Sequence, residues 1–204
     1  MDTDHYTLVA RDISKSFGRN RLLRNINIAL STGESLAVTG PNGSGKSTLL
    51  MILAGLLKQG AGSVTHAASG EIHRDDWLAH IGYTGPLINA YDELTAVENI
   101  MFARHGAGAC ARMEALLERF RLAEHRDKKI KHYSSGMKQR LKIILSIIND
   151  PPVLILDEPG TNLDAEGKDL VRSYIDSVRS KKIIIIATND PDEETLCTGG
   201  IRLG

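Results

Sequence analysis

Gly40-Pro41-Asn42-Gly43-Ser44-Gly45-Lys46-Ser47 is the stretch on which the reading of this chain turns. It fits the phosphate-binding pattern G-x-x-x-x-G-K-S/T. Glycines let several backbone N–H groups converge on one anion, and the N-terminus of a following helix adds partial positive charge. Lys46 is spaced to reach the β and γ phosphates of a nucleoside triphosphate, and the Ser47 hydroxyl to ligate Mg2+. Such a loop needs a strand before it and a helix behind it. Ser31-Thr32-Gly33-Glu34 reads as a turn leading into Ser35-Leu36-Ala37-Val38-Thr39, a short buried strand. A helix is predicted over about Lys46 to Leu57, so the candidate ATP-binding set runs from Gly40 to Thr48: Gly40, Pro41, Asn42, Gly43, Ser44, Gly45, Lys46, Ser47 and Thr48.

Working outward, Tyr6 to Ala10 and Ile26 to Leu30 read as short strands, and Gly60, Gly62 and Gly70 break the chain into turns. Val153-Leu154-Ile155-Leu156 and Ile183-Ile184-Ile185-Ile186 are apolar on both faces, as central parallel strands covered by helices must be. The first of them continues into Asp157-Glu158-Pro159, which delivers two carboxylates to the C-terminal edge of the sheet, where α/β sites lie. Alone this reads equally well as a solvated acidic turn. Beside a phosphate loop it assigns Asp157 to Mg2+, through water, and Glu158 to orienting or deprotonating the attacking water.

Between these segments the period becomes helical. Val97, Ile100 and Met101 share one face; Met113, Leu116, Leu117 and Phe120 another; Leu141, Ile144, Leu145 and Ile148 a third. Pro151-Pro152 stops the last helix. The expected fold is α/β: a phosphate-loop NTPase core with a mostly parallel sheet, an antiparallel β subdomain, and a helical subdomain over about 87–149 inserted between core segments 1–86 and 150–204 of a single domain. Tyr133-Ser134-Ser135-Gly136-Met137-Lys138-Gln139-Arg140 opens a helix in that insertion. The residues themselves favour an ordinary N-cap; a second anion nest is the alternative.

Composition excludes several classes. Basic and acidic residues balance at 25 each and aromatics are 4%, so no nucleic acid is expected as a partner. Cys110 and Cys197 are far apart and read as two buried thiols in a reducing cytosol. The seven histidines, at 5, 66, 73, 80, 105, 125 and 132, contain no i, i+4 pair, which argues against a metal site built from them. Met1-Asp2-Thr3-Asp4-His5 lacks the form of a secretion signal, and runs such as Ile183 to Ala187 are too short to cross a bilayer. Arg126-Lys128-Lys129-Lys131 reads as a solvated face, or as an attraction for phosphate or lipid headgroups.

Phosphate loop, serine-glycine signature and Leu-Asp-Glu-Pro together resemble the ABC ATPases over about Tyr6 to Thr198. That resemblance implies a head-to-tail dimer with a second ABC ATPase subunit, in which each ATP lies between one phosphate loop and the partner's signature. Ser134, Ser135, Gly136 and Met137 then act on the partner's ATP. Phe17 matches the aromatic residue that stacks on adenine. Asp164, in Gly160-Thr161-Asn162-Leu163-Asp164, matches the aspartate of the loop that crosses to the partner. The implied cofactor is Mg2+, through Ser47 and Asp157, and the implied partner is a multi-span transporter subunit that holds the chain at the inner face of the cell membrane.

The departures from the family pattern bear on rate. Where the family has a glutamine that touches Mg2+, this chain has Pro86, whose side chain offers no ligand. Where it has a histidine after the last core strand, this chain has Asn189, a neutral donor. The signature reads Tyr-Ser-Ser-Gly-Met, not Leu-Ser-Gly-Gly-Gln. The signature and the short stretch after Asn189 are similar to exporter ATPases of the haem-export and ABC-2 groups. The expectation is an ATP-hydrolysing subunit of a membrane exporter, with Glu158 and Asn189 as catalytic residues. Its rivals are a slow or non-hydrolysing nucleotide switch and a soluble ABC ATPase acting on nucleic acid or ribosomes.

Overall fold

A computed structural model describes residues 5–86, 88–104 and 109–204; Leu87, His105 and the side chain of Cys110 lie outside the described residues, as does the N-terminal stretch before His5. The described elements, in chain order, are β1 (Thr7–Phe17), β2 (Asn20–Ser31), β3 (Ser35–Thr39), α1 (Lys46–Leu53), β4 (Ala61–Ala67), α2 (Trp77–His80), β5 (Ile81–Thr84), α3 (Ala96–Ala103), α4 (Ala109–Arg119), α5 (Ser135–Ile147), β6 (Val153–Asp157), α6 (Ala165–Val178), β7 (Ile183–Ala187), α7 (Pro191–Glu194) and β8 (Gly199–Arg202).

The strands form two sheets. One is antiparallel, in the order β2-β1-β4; the other has the order β5-β6-β7-β3-β8 and every neighbouring pair in it is parallel. The α/β architecture expected from the apolar strands is therefore present. β1 and β2 run much longer than the predicted segments. Their alternation is interrupted by Asp12 (φ 52°) and Asn25 (φ 48°), and the β1–β2 register shifts between Ala10 and Ile13. Such bulges let a strand continue where its pattern breaks. Helix α1 stops at Leu53, short of the predicted Leu57, because Gly55 adopts φ 76°, a left-handed conformation that ends helices.

The parallel sheet separates two cores. Val153, Ile155, Ile183 and Ile185 pack with Leu49, Ile52 and Leu53 of α1 and with Leu8 and Ile13 of the antiparallel sheet. Leu154, Leu156, Ile184 and Ile186 pack on the other side with Leu117, Phe120, Leu141, Ile144 and Ile175. The helical stretch thus shares its apolar interior with one sheet face. Met101 departs from the predicted stripe and is 43% exposed, since α3 buries Ala96, Asn99 and Ile100 instead. Leu145 and Cys197 are only partly buried. Burial pushes the Cys197 thiol up to about 12, so it stays protonated at neutral pH.

A polar cluster lies inside the first core. The Tyr6 hydroxyl is 2.9 Å from Nδ1 of fully buried His66, whose Nε2 is 2.9 Å from the Leu53 carbonyl oxygen. Only a neutral ring carrying its hydrogen on Nε2 satisfies both contacts with Tyr6 donating. Trp77 packs against the imidazole at 4.2 Å between ring centroids. Burial is the main reason that His66 titrates at about 4.

Candidate functional site

The phosphate loop joins β3 to α1. Gly45 is the residue before α1 and has φ 102°, a conformation closed to most side chains, so glycine here turns the loop directly into the helix. Lys46 begins the helix and is 6% exposed. Its ammonium donates to the carbonyl oxygens of Gly40 at 2.7 Å and Pro41 at 3.4 Å, and to Asn189 Oδ1 at 3.2 Å. Asn189 Nδ2 in turn donates to Asn42 Oδ1 at 3.0 Å. The asparagine after β7 therefore holds both the lysine and the outer edge of the loop.

β6 brings Asp157 and Glu158 to the same edge. Asp157 is 6% exposed and its Oδ2 is buried without a hydrogen-bond partner. Burial raises its pKa, and the neighbouring Glu158 charge adds to this; a hydrogen bond from Ser47 opposes them. A buried carboxylate oxygen lacking a partner, next to a serine hydroxyl, is a hard oxygen donor set suited to Mg2+. Glu158 adopts φ 48°, in the left-handed region, which costs a non-glycine residue on the order of 1–3 kcal/mol. Its N–H donates to the Ala187 carbonyl at 2.8 Å, which ties the turn to β7. The carboxylate borders two cavities. One, about 250 Å³, also touches Asn42, Gly160, Thr188 and Asn189; the other, about 270 Å³, touches Ser47, Thr84, Pro86, Lys142 and Asp157.

A family model described as ABC transporter matches residues 23–161. This chain belongs to the ABC transporter ATP-binding family. The ABC ATPase is 34% identical over 183 residues to the lantibiotic transport ATP-binding protein SrtF of Streptococcus pyogenes, covering 89% of this chain and 79% of SrtF. It is 32% identical over 195 residues to the Nod factor export ATP-binding protein I of Burkholderia lata, covering 92% of this chain and 64% of that protein. Among solved structures it resembles the ATP-binding cassette MJ0796, as a post-hydrolysis dimer bound to ADP and Pi, with TM-score 0.84, 25% identity, and 96% and 94% of the two chains covered. The fold is that of this family, and the protein is an ATPase.

The remaining candidate residues of this ABC ATPase fall in different places. Pro86 lines the Ser47–Asp157 cavity, the position assigned to it by the flanking segments. Ser134 caps α5 by accepting from the Met137 N–H at 3.2 Å. Among the described residues, none of Ser134, Ser135, Gly136 and Met137 lines the two cavities bordered by Glu158. Asp164 caps α6, accepting from Gly167 N–H at 2.8 Å. Phe17 stands 54% exposed at the end of β1. Most of the basic stretch is matched locally: Lys129 and Lys131 pair with Glu93, and Arg126 with Glu114.

Three participants have no role assigned to them by a motif. Gln139 Nε2 donates to the Pro159 carbonyl at 3.0 Å, fastening α5 to the turn that carries Glu158. Glu193, 9% exposed, accepts from Gly160 N–H at 2.7 Å and from the Thr188 hydroxyl, joining the loop after Glu158 to the end of β7. Lys142 lines the Asp157 cavity from α5. The three-residue spacing of Gln139 and Lys142 puts both on one face of α5.

Proposed function

We propose that this ABC ATPase powers a membrane exporter, working as a dimer with a second ABC ATPase subunit, and that Glu158 is its catalytic base. One observation carries the reading: Glu158 is held in a strained conformation at the end of β6, beside Asp157 and Ser47, on the wall between two cavities. Lys46 and the loop N–H groups bind the triphosphate, and Phe17 stacks on the adenine. Ser47 and Asp157 hold Mg2+, which draws off negative charge from the phosphate oxygens when bound. Glu158 takes a proton from the attacking water and Asn189 donates a neutral hydrogen bond to the γ-phosphate. Ser134 to Met137, which do not line the two cavities bordered by Glu158, are left to serve the partner's ATP, and Asp164 lies on the loop facing that partner.

Membrane coupling rests on the named roles of SrtF and the Nod factor protein and on an apolar groove. Among the described residues no helix is long and apolar enough to cross a membrane. Leu56, Leu78 and Ile88 are exposed and line one groove of about 260 Å³ with Tyr83, Leu145 and Asn149. Asn149 donates to the Ala103 carbonyl, and next to Ala103 stands Phe102, 70% exposed. Large apolar side chains left uncovered on one side mark an interaction site, here for a cytoplasmic segment of the membrane-spanning subunit. A chain recovered only in the soluble fraction of its own host, with no multi-span protein in detergent extracts, refutes this half of the reading.

Glu158→Gln tests the chemistry. It keeps ATP bound, slows turnover by roughly 10²-fold or more, and accumulates an ATP-bound dimer on size-exclusion chromatography with Mg2+. Unchanged turnover in the variant excludes Glu158 as the base. A second reading, a slowly cycling nucleotide switch, is favoured by Pro86 and Asn189, and the wild-type kcat separates the two.

A further inference from the structure

Helix α5 does more than present the serine-glycine signature at its start. Gln139 and Lys142 are three residues apart and so lie on one helical face. Gln139 fixes that face against the turn carrying Glu158, with its amide 3.0 Å from the Pro159 carbonyl and 3.4 Å from that of Glu158. One turn further along, Lys142 enters the wall of the cavity shared by Ser47, Thr84, Pro86 and Asp157. The close approach of α5 to this edge is built in, because Gly82 in β5 leaves no room between the strand and the Ser146 carbonyl.

The polar inventory of that cavity is unbalanced. Asp157 Oδ2 and Thr84 Oγ1 are buried without partners, and Pro86 contributes no polar side-chain atom. Lys142 is the one ammonium among the described residues lining it, and no hydrogen bond or ion pair from its side chain to another described residue exists. Its helical neighbour Lys138 is neutralised by Asp92 at 2.7 Å, but among the described residues nothing equivalent neutralises Lys142. Partial burial is the first cause that lowers its pKa, with repulsion from Lys138 second. Asp157 and Glu158 line the same cavity but neither is bonded to Lys142, and a half-buried cation with no bonded counter-ion is costly unless an anion completes it.

We infer that Lys142 contacts the terminal phosphate of bound ATP and makes the site select ATP over ADP. This rests on the ATP reading above. Lys46 reaches the phosphates from the loop side of the cleft, and Lys142 reaches them from the α5 side, across the cavity that holds Ser47 and Asp157. A third phosphate adds one more anion on the side of the cleft that Lys142 lines. ADP leaves Lys142 without its anion, so the two nucleotides differ by one charge-assisted contact.

The test measures equilibrium binding of ATP and ADP, each with Mg2+, in a Glu158→Gln background that prevents turnover. Adding Lys142→Met keeps the stem and removes the charge; it lowers the preference for ATP over ADP by about tenfold, the scale of one hydrogen bond to a charged group. Lys142→Arg retains most of the preference. Thermal melts of all three proteins control for folding. An unchanged ATP:ADP ratio in Lys142→Met overturns the inference, and so does equal weakening of both nucleotides. If the Glu158→Gln protein binds no ATP, or if Lys46→Ala binds it unchanged, the ATP reading itself falls.

Discussion

Lowering the pH should destabilise this protein through His66 specifically. The imidazole is fully buried between Tyr6, Leu53 and Trp77. Burial depresses its pKa from 6.5 in the unfolded chain to about 4, the hydrogen bond to Leu53 opposes the shift, and nearby His80 adds to it. With the folded value below the unfolded one, the unfolded chain takes up a proton first as pH falls. This stability is essentially full well above pH 6.5, is lost progressively as pH falls to about 4, and levels off only once the folded imidazole is itself protonated below that value. Two and a half pH units at about 1.4 kcal/mol each, less the half-protonation reached at the folded value, amount to about 3 kcal/mol by pH 4. The assay is urea unfolding between pH 7.5 and 4 for wild type and His66→Gln. The variant is less stable at neutral pH, yet its stability declines less steeply with acid, so the gap between the two proteins closes by about 3 kcal/mol at pH 4. Carboxylates that titrate in both proteins cancel in the difference. Parallel stability curves for the two proteins refute the reasoning, as does an NMR titration in which His66 in the folded protein protonates near 6.5.

Two further outcomes are expected. Asn189→His should raise kcat by roughly 5- to 30-fold, because a protonated imidazole makes a stronger bond to the γ-phosphate than a neutral amide does; a variant no faster than wild type shows that Asn189 is not a weakened catalytic contact. Gly82→Ala should destabilise the fold by about 1–3 kcal/mol, since its methyl group meets the Ser146 carbonyl and Leu154 between β5 and α5; an unchanged denaturation midpoint means that the helix can withdraw from the strand at no cost.

Where the chain's chemistry is written in contiguous residues, it was legible. The loop from Gly40 to Ser47 and the run from Val153 to Glu158 each carry their own spacing, and the strands Ser35–Thr39, Val153–Asp157 and Ile183–Ala187 follow from unbroken apolar runs. β1 was cut short because its bulge at Asp12 breaks the alternation that marks a strand. Met101 lies off the buried face because an eight-residue helix has too few turns for spacing alone to define that face. His66, Lys142 and Glu193 belong to no motif, and Gln139 sits in the signature stretch without a role of its own. The partners of His66, Gln139 and Glu193 lie from 5 residues away, as in Glu193 to Thr188, to 60, as in His66 to Tyr6, and only folding creates the distant pairs. A solitary histidine next to a strand alanine looks like any surface histidine until the sheet closes over it.

Ile183–Ile186 sends alternate, identical side chains into opposite cores. Hydrophobicity is blind to sliding along such a run: displaced by one residue or by two, isoleucine still meets the same company. Correct alignment of β7 must therefore be dictated from its ends. Lys182, 6% exposed, anchors one end through Asp150 at 2.7 Å and the Pro151 carbonyl at 2.5 Å. Thr188, bonded to buried Glu193, anchors the other. Between these two clamps the strand acts as a ruler without markings. The polar residues at its margins decide where Asn189 finally stands relative to Lys46, so catalytic alignment is inherited from anchors at the two ends of the strand.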